Sequence, residues 1–333
     1  MNGSISRTML LRAGAALLAY LAAGQQATAQ SQMTVEVSFV ATGKANAPVQ
    51  DLTANDITIK DDNKKQLIVS MEKVVAGAPV APGKPRLYNV VLLDCMNTTF
   101  RDVPENRAEM LRVLNELSKA DNLTFLVLWR KLHVLQDASM QPPTLVSKLA
   151  SQGLQGLEGA RPNLEPYNWV FSDQLGLFQL FTPAGINDQR LVEESVGAMR
   201  IISSTYLNRP GRKNLIWITQ GLPITGEQTA AGMTVYPIDS RYLSTGALSI
   251  DENEAPEHSN MQAMAKATGG LAFLSRKDVA NCVRDALNDS RTTYVVKYTT
   301  SDLKYDGKSH LTKIETSRPG IKLRYGAQYH AAQ

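Results

Sequence analysis

The sequence is poor in the residues and motifs that most enzyme classes need. Among 333 residues it has two cysteines and four histidines, and neither an HExxH motif nor a CxxC pair occurs, so a zinc enzyme is not indicated. The GxSxG turn of a nucleophile elbow and the lysine-containing glycine loop that binds nucleotide phosphates are also absent. We therefore expect no enzymatic activity, and a hydrolase is the least favoured function class.

Strong charge and long apolar runs are lacking as well. The formal net charge is +4 and no Lys/Arg-rich run is present, so nucleic acid is not an expected partner. A membrane helix needs about 20 consecutive apolar residues, and no run approaches this length. What remains is an ordinary globular composition with 43% apolar and 20% charged residues. The length suffices for one large domain or two small ones.

The N-terminus has the pattern of a secretory signal peptide. Arg7 and Arg12 come before a short apolar run at 13–23, and the small residues "ATA" follow at 27–29. We expect residues 1–29 to be removed and the mature protein to be exported, to the periplasm or out of the cell. The alternative, an uncleaved anchor, would need a longer apolar run.

Strand-like patterns occupy both ends of the chain, and an α/β pattern occupies the middle. Residues 33–75 alternate apolar and polar side chains and include a predicted hairpin at 57–69, whereas residues 76–86 are rich in proline and glycine and predict a linker. Strands and helices alternate over 87–291, and residues 292–329 return to strands. Neither end has enough strands to be stable alone. We therefore expect the two ends to form one small β domain into which the α/β domain is inserted.

Continuous apolar runs in the middle segment predict strands that are buried on both faces. Five such runs are "LYNVVLLD", "LTFLVLW", "LIWIT", "MTVYPI" and "LAFLS". They are typical of an open, mostly parallel sheet covered by helices. Such sheets bind ligands beyond the carboxyl ends of their strands. The residues at those ends are Asp94, Gln220, Asp239 and Ser275, so we expect the functional site there.

The residues that follow Asp94 allow two interpretations. Asn97 and Thr98 stand three and four residues after it, and Asp239 lies at the same predicted edge. Two carboxylates with hydroxyl groups could hold Mg²⁺, which binds a few carboxylates and keeps waters. Alternatively, Asp94 only ends a strand, and Asn97, Thr98 or Thr99 caps the turn before the next helix.

Several motifs resemble one family, and they occur in that family's order. "LLDCMNTTF" and "GRKNLIWITQGLP" resemble the first and fourth strands of a von Willebrand factor type A domain. "VQDLTANDITIKDDNKKQ", "VYPIDSR", "AKATGGLAF" and the stretch from "DSRTTYVVKYTT" to "LRYGAQY" resemble the von Willebrand factor A-related proteins abundant in acidobacteria. The resemblance implies a Rossmann-like A domain flanked by β segments, here a small β-sandwich-like domain made by both chain ends.

The resemblance also implies a metal-ion-dependent adhesion site with missing ligands. The family's first element, Asp-x-Ser-x-Ser, corresponds to Asp94 with Thr98 as a hydroxyl ligand, and its second element corresponds to Ser195. Met96 replaces a serine and Gln220 replaces an aspartate, so a hydroxyl and a carboxylate are lost. The implied cofactor is Mg²⁺ or Mn²⁺, held weakly.

The resemblance and the absent catalytic motifs together favour a binding function. We expect an exported, non-enzymatic protein-binding or adhesion module with a degenerate metal site. The alternative is a metal-free structural or scaffold protein of the cell envelope. The protein partner is not identified by the sequence.

Cys95 and Cys282 are the two cysteines. Export permits a disulfide between them, and the favoured alternative is a pair of small buried apolar side chains.

Two further segments have alternative interpretations. The aromatic segment 164–181 is either a partner-binding patch or a cover for the core. "RPGRKN" concentrates Arg209, Arg212 and Lys213, and we expect a solvated connection there rather than a site for an acidic partner.

Overall fold

The structure is a computed structural model that describes residues 34–97, 104–129, 131–137, 188–221, 232–245, 255–300 and 309–330. The predicted signal peptide 1–29, Thr98 and the aromatic segment 164–181 lie outside these ranges. Among the described helices, none combines the length and the apolarity needed to cross a bilayer.

Thirteen strands and five α-helices make up the described part of the chain. The strands are β1 (Thr34–Thr42), β2 (Ile57–Asp61), β3 (Lys64–Lys65), β4 (Leu67–Val75), β5 (Arg86–Asp94), β6 (Leu123–Trp129), β7 (Lys131–Gln136), β8 (Gly211–Thr219), β9 (Thr234–Asp239), β10 (Thr292–Thr299), β11 (Ser309–Thr316), β12 (Lys322–Tyr325) and β13 (Gln328–His330). The helices are α1 (Pro104–Leu117), α2 (Asp188–Tyr206), α3 (Tyr242–Thr245), α4 (Ala255–Thr268) and α5 (Val279–Asp289).

A five-stranded sheet forms the centre, in the order β7-β6-β5-β8-β9. Strands β6, β5, β8 and β9 run parallel, and β7 lies antiparallel at the edge. Every residue of β8 is buried, so both faces of the sheet are covered, as the continuous apolar runs predict. From β5 the chain adds β6 on one side and later β8 and β9 on the other. This change of side places a switch point at the carboxyl end of β5, where such sheets bind ligands.

The helices cover this sheet with apolar side chains. α1 packs against α5, and α4 packs against β9. Met110, Val113 and Leu114 of α1 join one large core with residues of β5, β6, β8 and β9.

The fifth predicted strand, "LAFLS", is not a strand in the structure. Only Phe273 pairs there, through an isolated parallel bridge to Ile238. Two residues later Ser275 has a φ of 53°, which turns the chain out of the extended conformation and ends the pairing.

The two ends of the chain pair with each other in two antiparallel sheets. One has the order β12-β1-β10-β4 and the other β13-β11-β2-β3. They share a core that includes Phe39, Ile59, Tyr298 and Ile314. The predicted hairpin at 57–69 is only partly formed, because β2 pairs with the two-residue β3 and β4 then pairs with β10 in the other sheet.

The segment "RPGRKN" is not a solvated connection throughout, which corrects the sequence-based expectation. β8 begins at Gly211, so Arg212 and Lys213 are buried strand residues. The Arg212 guanidinium donates hydrogen bonds to the Tyr236 hydroxyl at 3.0 Å and to the Gly269 carbonyl at 3.4 Å. These internal acceptors allow the charge to be buried. Arg209 lies outside the strand.

Candidate functional site

The site lies where the parallel strands of the central sheet end. Asp94 is the last residue of β5, Thr219 the last of β8 and Asp239 the last of β9. Leu93 pairs with Ile218, and Thr219 pairs with Asp239, so the register places the three terminal side chains at one edge. The strand pairing thus places Asp94 and Asp239 at the same edge of the sheet.

The Asp94 carboxylate is fully buried and is surrounded by hydrogen-bond donors. Oδ1 accepts from the backbone N–H groups of Met96 at 3.1 Å and Asn97 at 3.0 Å. Oδ2 accepts from the Asn97 side-chain amide at 2.8 Å, the Trp217 indole at 3.0 Å and the Thr219 hydroxyl at 3.1 Å. The single hydroxyl hydrogen of Thr219 also faces the Gly221 carbonyl oxygen at 2.8 Å, so it is shared between the two acceptors. The other four donors are N–H groups, and they match the roughly four lone-pair sites of a carboxylate.

Burial and hydrogen bonding act on this carboxylate in opposite directions. Burial raises the pKa of Asp94 above its ordinary value, because a charge is poorly solvated in the protein interior. The hydrogen bonds from Asn97, Trp217 and Thr219 favour the charged form and lower the pKa, but burial is the larger effect. The donors are all neutral groups, so dipoles rather than a positive charge stabilise the ionised Asp94.

The Asn97 amide also connects Asp94 to helix α2. Its Nδ2 lies 3.1 Å from the Ser195 hydroxyl oxygen while it donates to Asp94 Oδ2 at 2.8 Å. Ser195 is fully buried and lies within α2. The amide nitrogen, with its two hydrogens, therefore bridges the two oxygens that the resemblance assigns to a metal ion.

The described residues do not fit Mg²⁺ or Mn²⁺ at this position. Such ions bind oxygen ligands with strict geometry, but Asp94 Oδ2 already accepts from three donors and the Asn97 amide stands between it and Ser195. Met96 contributes an apolar side chain that is part of the core. Gln220, directly after β8, adds a neutral side chain where the family pattern has a carboxylate.

Asp239, the second carboxylate of this edge, has partners of its own. Arg241 donates from Nε to Oδ1 at 3.0 Å and from Nη2 to Oδ2 at 2.9 Å, a bidentate ion pair. His258 Nε2 lies 3.0 Å from Oδ2. Because Arg241 neutralises Asp239, the two carboxylates of the edge do not combine into one anionic pocket.

The structure contains no disulfide between Cys95 and Cys282, which corrects that alternative. Both thiols are free and buried, and both belong to the main apolar core. Burial raises the pKa of Cys282 to about 12 and that of Cys95 well above its ordinary value. Each cysteine therefore behaves as a small apolar side chain.

Sequence reasoning missed Trp217 and Thr219. Side chains two residues apart on a strand point to the same face, so a polar hydroxyl and an indole N–H in "LIWIT" were a usable signal. Only the pairing of β8 with β5 shows that both donate to Asp94.

Comparisons with known proteins describe similarity of fold at most. A scan against protein-family models finds no match to this chain, and a search of curated proteins finds none. The solved structure of the manganese-loaded TRAP protein of Plasmodium vivax is similar over 80% of this chain and 99% of its own, at 10% identity and a TM-score of 0.33.

Two other solved structures are similar at the same low level. A von Willebrand factor type A protein from Catenulispora acidiphila matches over 84% of this chain and 74% of its own, at 9% identity and a TM-score of 0.32. The human COPII-coat protein Sec24c matches over 78% of this chain and 46% of its own, at 10% identity and a TM-score of 0.30. At such low TM-scores these similarities carry no argument about function.

Proposed function

We propose that this chain is an exported, non-enzymatic protein-binding module that works without a metal ion at Asp94. In this proposal a von Willebrand factor A-like α/β domain is inserted into a β domain made by the two chain ends. The strand order β7-β6-β5-β8-β9 and the pairing of β1 with β10 support this organisation. The signal-peptide pattern at 1–29 supports export.

The Asn97 bridge is the observation that carries the metal-free version of this function. The amide donates to Asp94 and lies within hydrogen-bond distance of Ser195, so it supplies the positive partial charge that a cation would supply. Trp217 and Thr219 of β8 also donate hydrogen bonds to the Asp94 carboxylate and so stabilise its negative charge. Asp94 is then a structural residue that ties β5 to β8 and α2.

The burial of Asp94 also supports a non-enzymatic role. Its side chain is fully buried, and all its oxygen lone pairs face protein donors. A general base must come within hydrogen-bond reach of the proton that it takes from a substrate. Asp94 cannot reach a substrate unless the site opens.

Affinity capture from the native envelope tests this function directly. The full chain serves as bait with Mg²⁺ and without any added divalent ion, and Asp94→Asn serves as a second bait. Because the partner surface does not depend on an ion at Asp94, we expect the same captured proteins, in amounts that agree within about twofold, under both conditions.

The matched control is Asp278→Asn, which changes a half-exposed aspartate that also accepts a hydrogen bond from an asparagine three residues later. Capture that requires Mg²⁺ and is lost in Asp94→Asn but not in Asp278→Asn would contradict the metal-free version. A bait that captures nothing above background under either condition would contradict a binding function.

A further inference from the structure

Three side chains with metal-binding chemistry meet in the sheet of β2 and β11, outside the central sheet that carries Asp94. Asp61 ends β2, Asp62 follows it in the turn, and His310 lies on β11, which pairs with β2. One ligand atom from each lies within 4.8 Å of the others. Among the residues that the structure describes, this is the group of three that could hold an ion.

Asp61 has a buried oxygen without a partner. The residue is 6% exposed, and its Oδ2 accepts hydrogen bonds from the Tyr329 hydroxyl at 2.6 Å and the Tyr298 hydroxyl at 3.3 Å. Its Oδ1 is buried and has no hydrogen-bond partner. Buried polar atoms nearly always have a partner, so an orphaned carboxylate oxygen indicates a missing ligand. A cation would satisfy it.

The other two side chains are held in place beside it. His310 Nδ1 lies 2.8 Å from Asp62 Oδ2, and the backbone N–H of Leu311 donates to Asp62 Oδ1 at 3.1 Å. The imidazole ring stacks on Tyr329 with the ring centroids 5.3 Å apart. Asp62 has a φ of 45°, a left-handed turn conformation that aspartate tolerates better than most residues. These contacts hold Asp62 and His310 close to the Asp61 carboxylate before any ion arrives.

The geometry points to a divalent cation site formed by Asp61, Asp62 and His310, with Zn²⁺ as the ion. Zinc takes imidazole nitrogen and carboxylate oxygen at about 2.0–2.2 Å, and three protein ligands leave a fourth position for water. Mg²⁺ and Ca²⁺ prefer oxygen ligands alone, so the histidine selects against them. The two carboxylates would balance both charges of the ion.

Binding requires the three ligand atoms to move closer together, and the exposed Asp62 carboxylate can make most of that movement. Ligand atoms around tetrahedral zinc are about 3.4 Å apart, so a spread of up to 4.8 Å must contract. The Asp62 side chain is 55% exposed and that of His310 is 15% exposed, so the more exposed carboxylate can close on the ion. Zinc would then replace the direct His310–Asp62 hydrogen bond. It would also join the β2 turn to β11, strands that come from opposite ends of the chain.

Zinc titration of the full chain, freed of metal by a chelator and dialysed, tests the site. We expect ZnCl₂ to bind with one equivalent by calorimetry and MgCl₂ to give no heat. At a hundredfold excess of free Zn²⁺ over Kd, we expect Tm to rise by about 5 °C. His310→Gln and Asp62→Asn should each weaken zinc binding at least tenfold, because each removes one of three protein ligands.

Two controls separate this site from the rest of the molecule. Glu315→Gln removes a carboxylate on the same strand, where it pairs with Lys60 and Lys313, and should leave zinc binding unchanged. Asp94→Asn should also leave it unchanged. Zinc binding that survives both His310→Gln and Asp62→Asn, or that is lost in Asp94→Asn, would overturn the assignment. The absence of zinc binding to the unsubstituted chain would overturn it as well.

X-ray absorption at the zinc edge supplies an independent readout. We expect a first shell of nitrogen and oxygen only, with the scattering pattern of one imidazole. A sulfur neighbour would place the ion at Cys95 or Cys282 and would overturn the assignment. The proposed function is tested with Mg²⁺ at Asp94, so either proposal can fail while the other stands.

Discussion

Replacement of Asn97 by alanine removes the side chain that bridges Asp94 and Ser195. The lost hydrogen bond to the Asp94 carboxylate is 2.8 Å long, and bonds to charged groups contribute about 1.5–3 kcal/mol. The contact with the Ser195 hydroxyl is neutral and contributes about 1 kcal/mol. Because Asn97 is only half-buried, water can replace part of both bonds. We therefore expect a loss of about 2–3 kcal/mol in the free energy of unfolding.

Equilibrium unfolding in urea, followed by tryptophan fluorescence, measures this loss as a shift of the midpoint. The matched control is Asn281→Ala, because Asn281 Nδ2 donates to Asp278 Oδ2 at 2.9 Å across the same three-residue spacing. Asp278 is half-exposed, so the control should cost less than about 1 kcal/mol. Equal losses in the two variants would refute the reasoning that the Asn97 amide holds a buried charge.

Three further predictions concern other parts of the fold. Burial raises the folded-state pKa of Asp94, so the stability that its protonated form contributes is present at low pH and is lost as pH rises. The unfolding free energy of the unsubstituted chain minus that of Asp94→Asn should therefore fall as pH rises from the acid side, and an opposite slope would contradict the assigned cause. Cys95 and Cys282 should not react with a thiol reagent at pH 8 while the protein is folded. After unfolding, two equivalents of reagent should be consumed per chain, and labelling of the native protein would contradict the burial of the thiols. Gly211 has a φ of 109°, and a Cβ there would lie 2.0 Å from a β5 carbonyl oxygen, so Gly211→Ala should cost more than about 2 kcal/mol in urea unfolding. The control Gly197→Ala lies in open space on α2 and should be neutral or stabilising. Similar effects of the two substitutions would contradict the strand contact.

The central sheet could be predicted because its signal is local. The apolar runs of β5 and β8 are continuous, and burial on both faces is what such runs require. The position of Asp94 at the carboxyl edge then follows from strand direction alone. The pairing of the chain ends could also be inferred, since too few strands occur at either end for a separate sheet.

The state of the site could not be predicted, because it depends on distant residues. Trp217 and Ser195 reach the Asp94–Asn97 pair across 123 and 98 residues of sequence, and no local pattern specifies those contacts. The burial of Arg212 could not be predicted for the same reason. Its charge predicts exposure, but its hydrogen-bond partner Tyr236 lies on another strand. The Asp61–Asp62–His310 group was missed for this reason too, since strand pairing alone brings His310 to the β2 turn.

Anomalous diffraction from crystals grown with Mn²⁺ tests most directly whether the Asp94 centre is closed without an ion. We expect no manganese peak at bonding distance from the Asp94 oxygens, and we expect the Asn97 amide to remain hydrogen-bonded between Asp94 and Ser195. A manganese peak that bridges Asp94 and Ser195, with the Asn97 side chain displaced, would contradict the account.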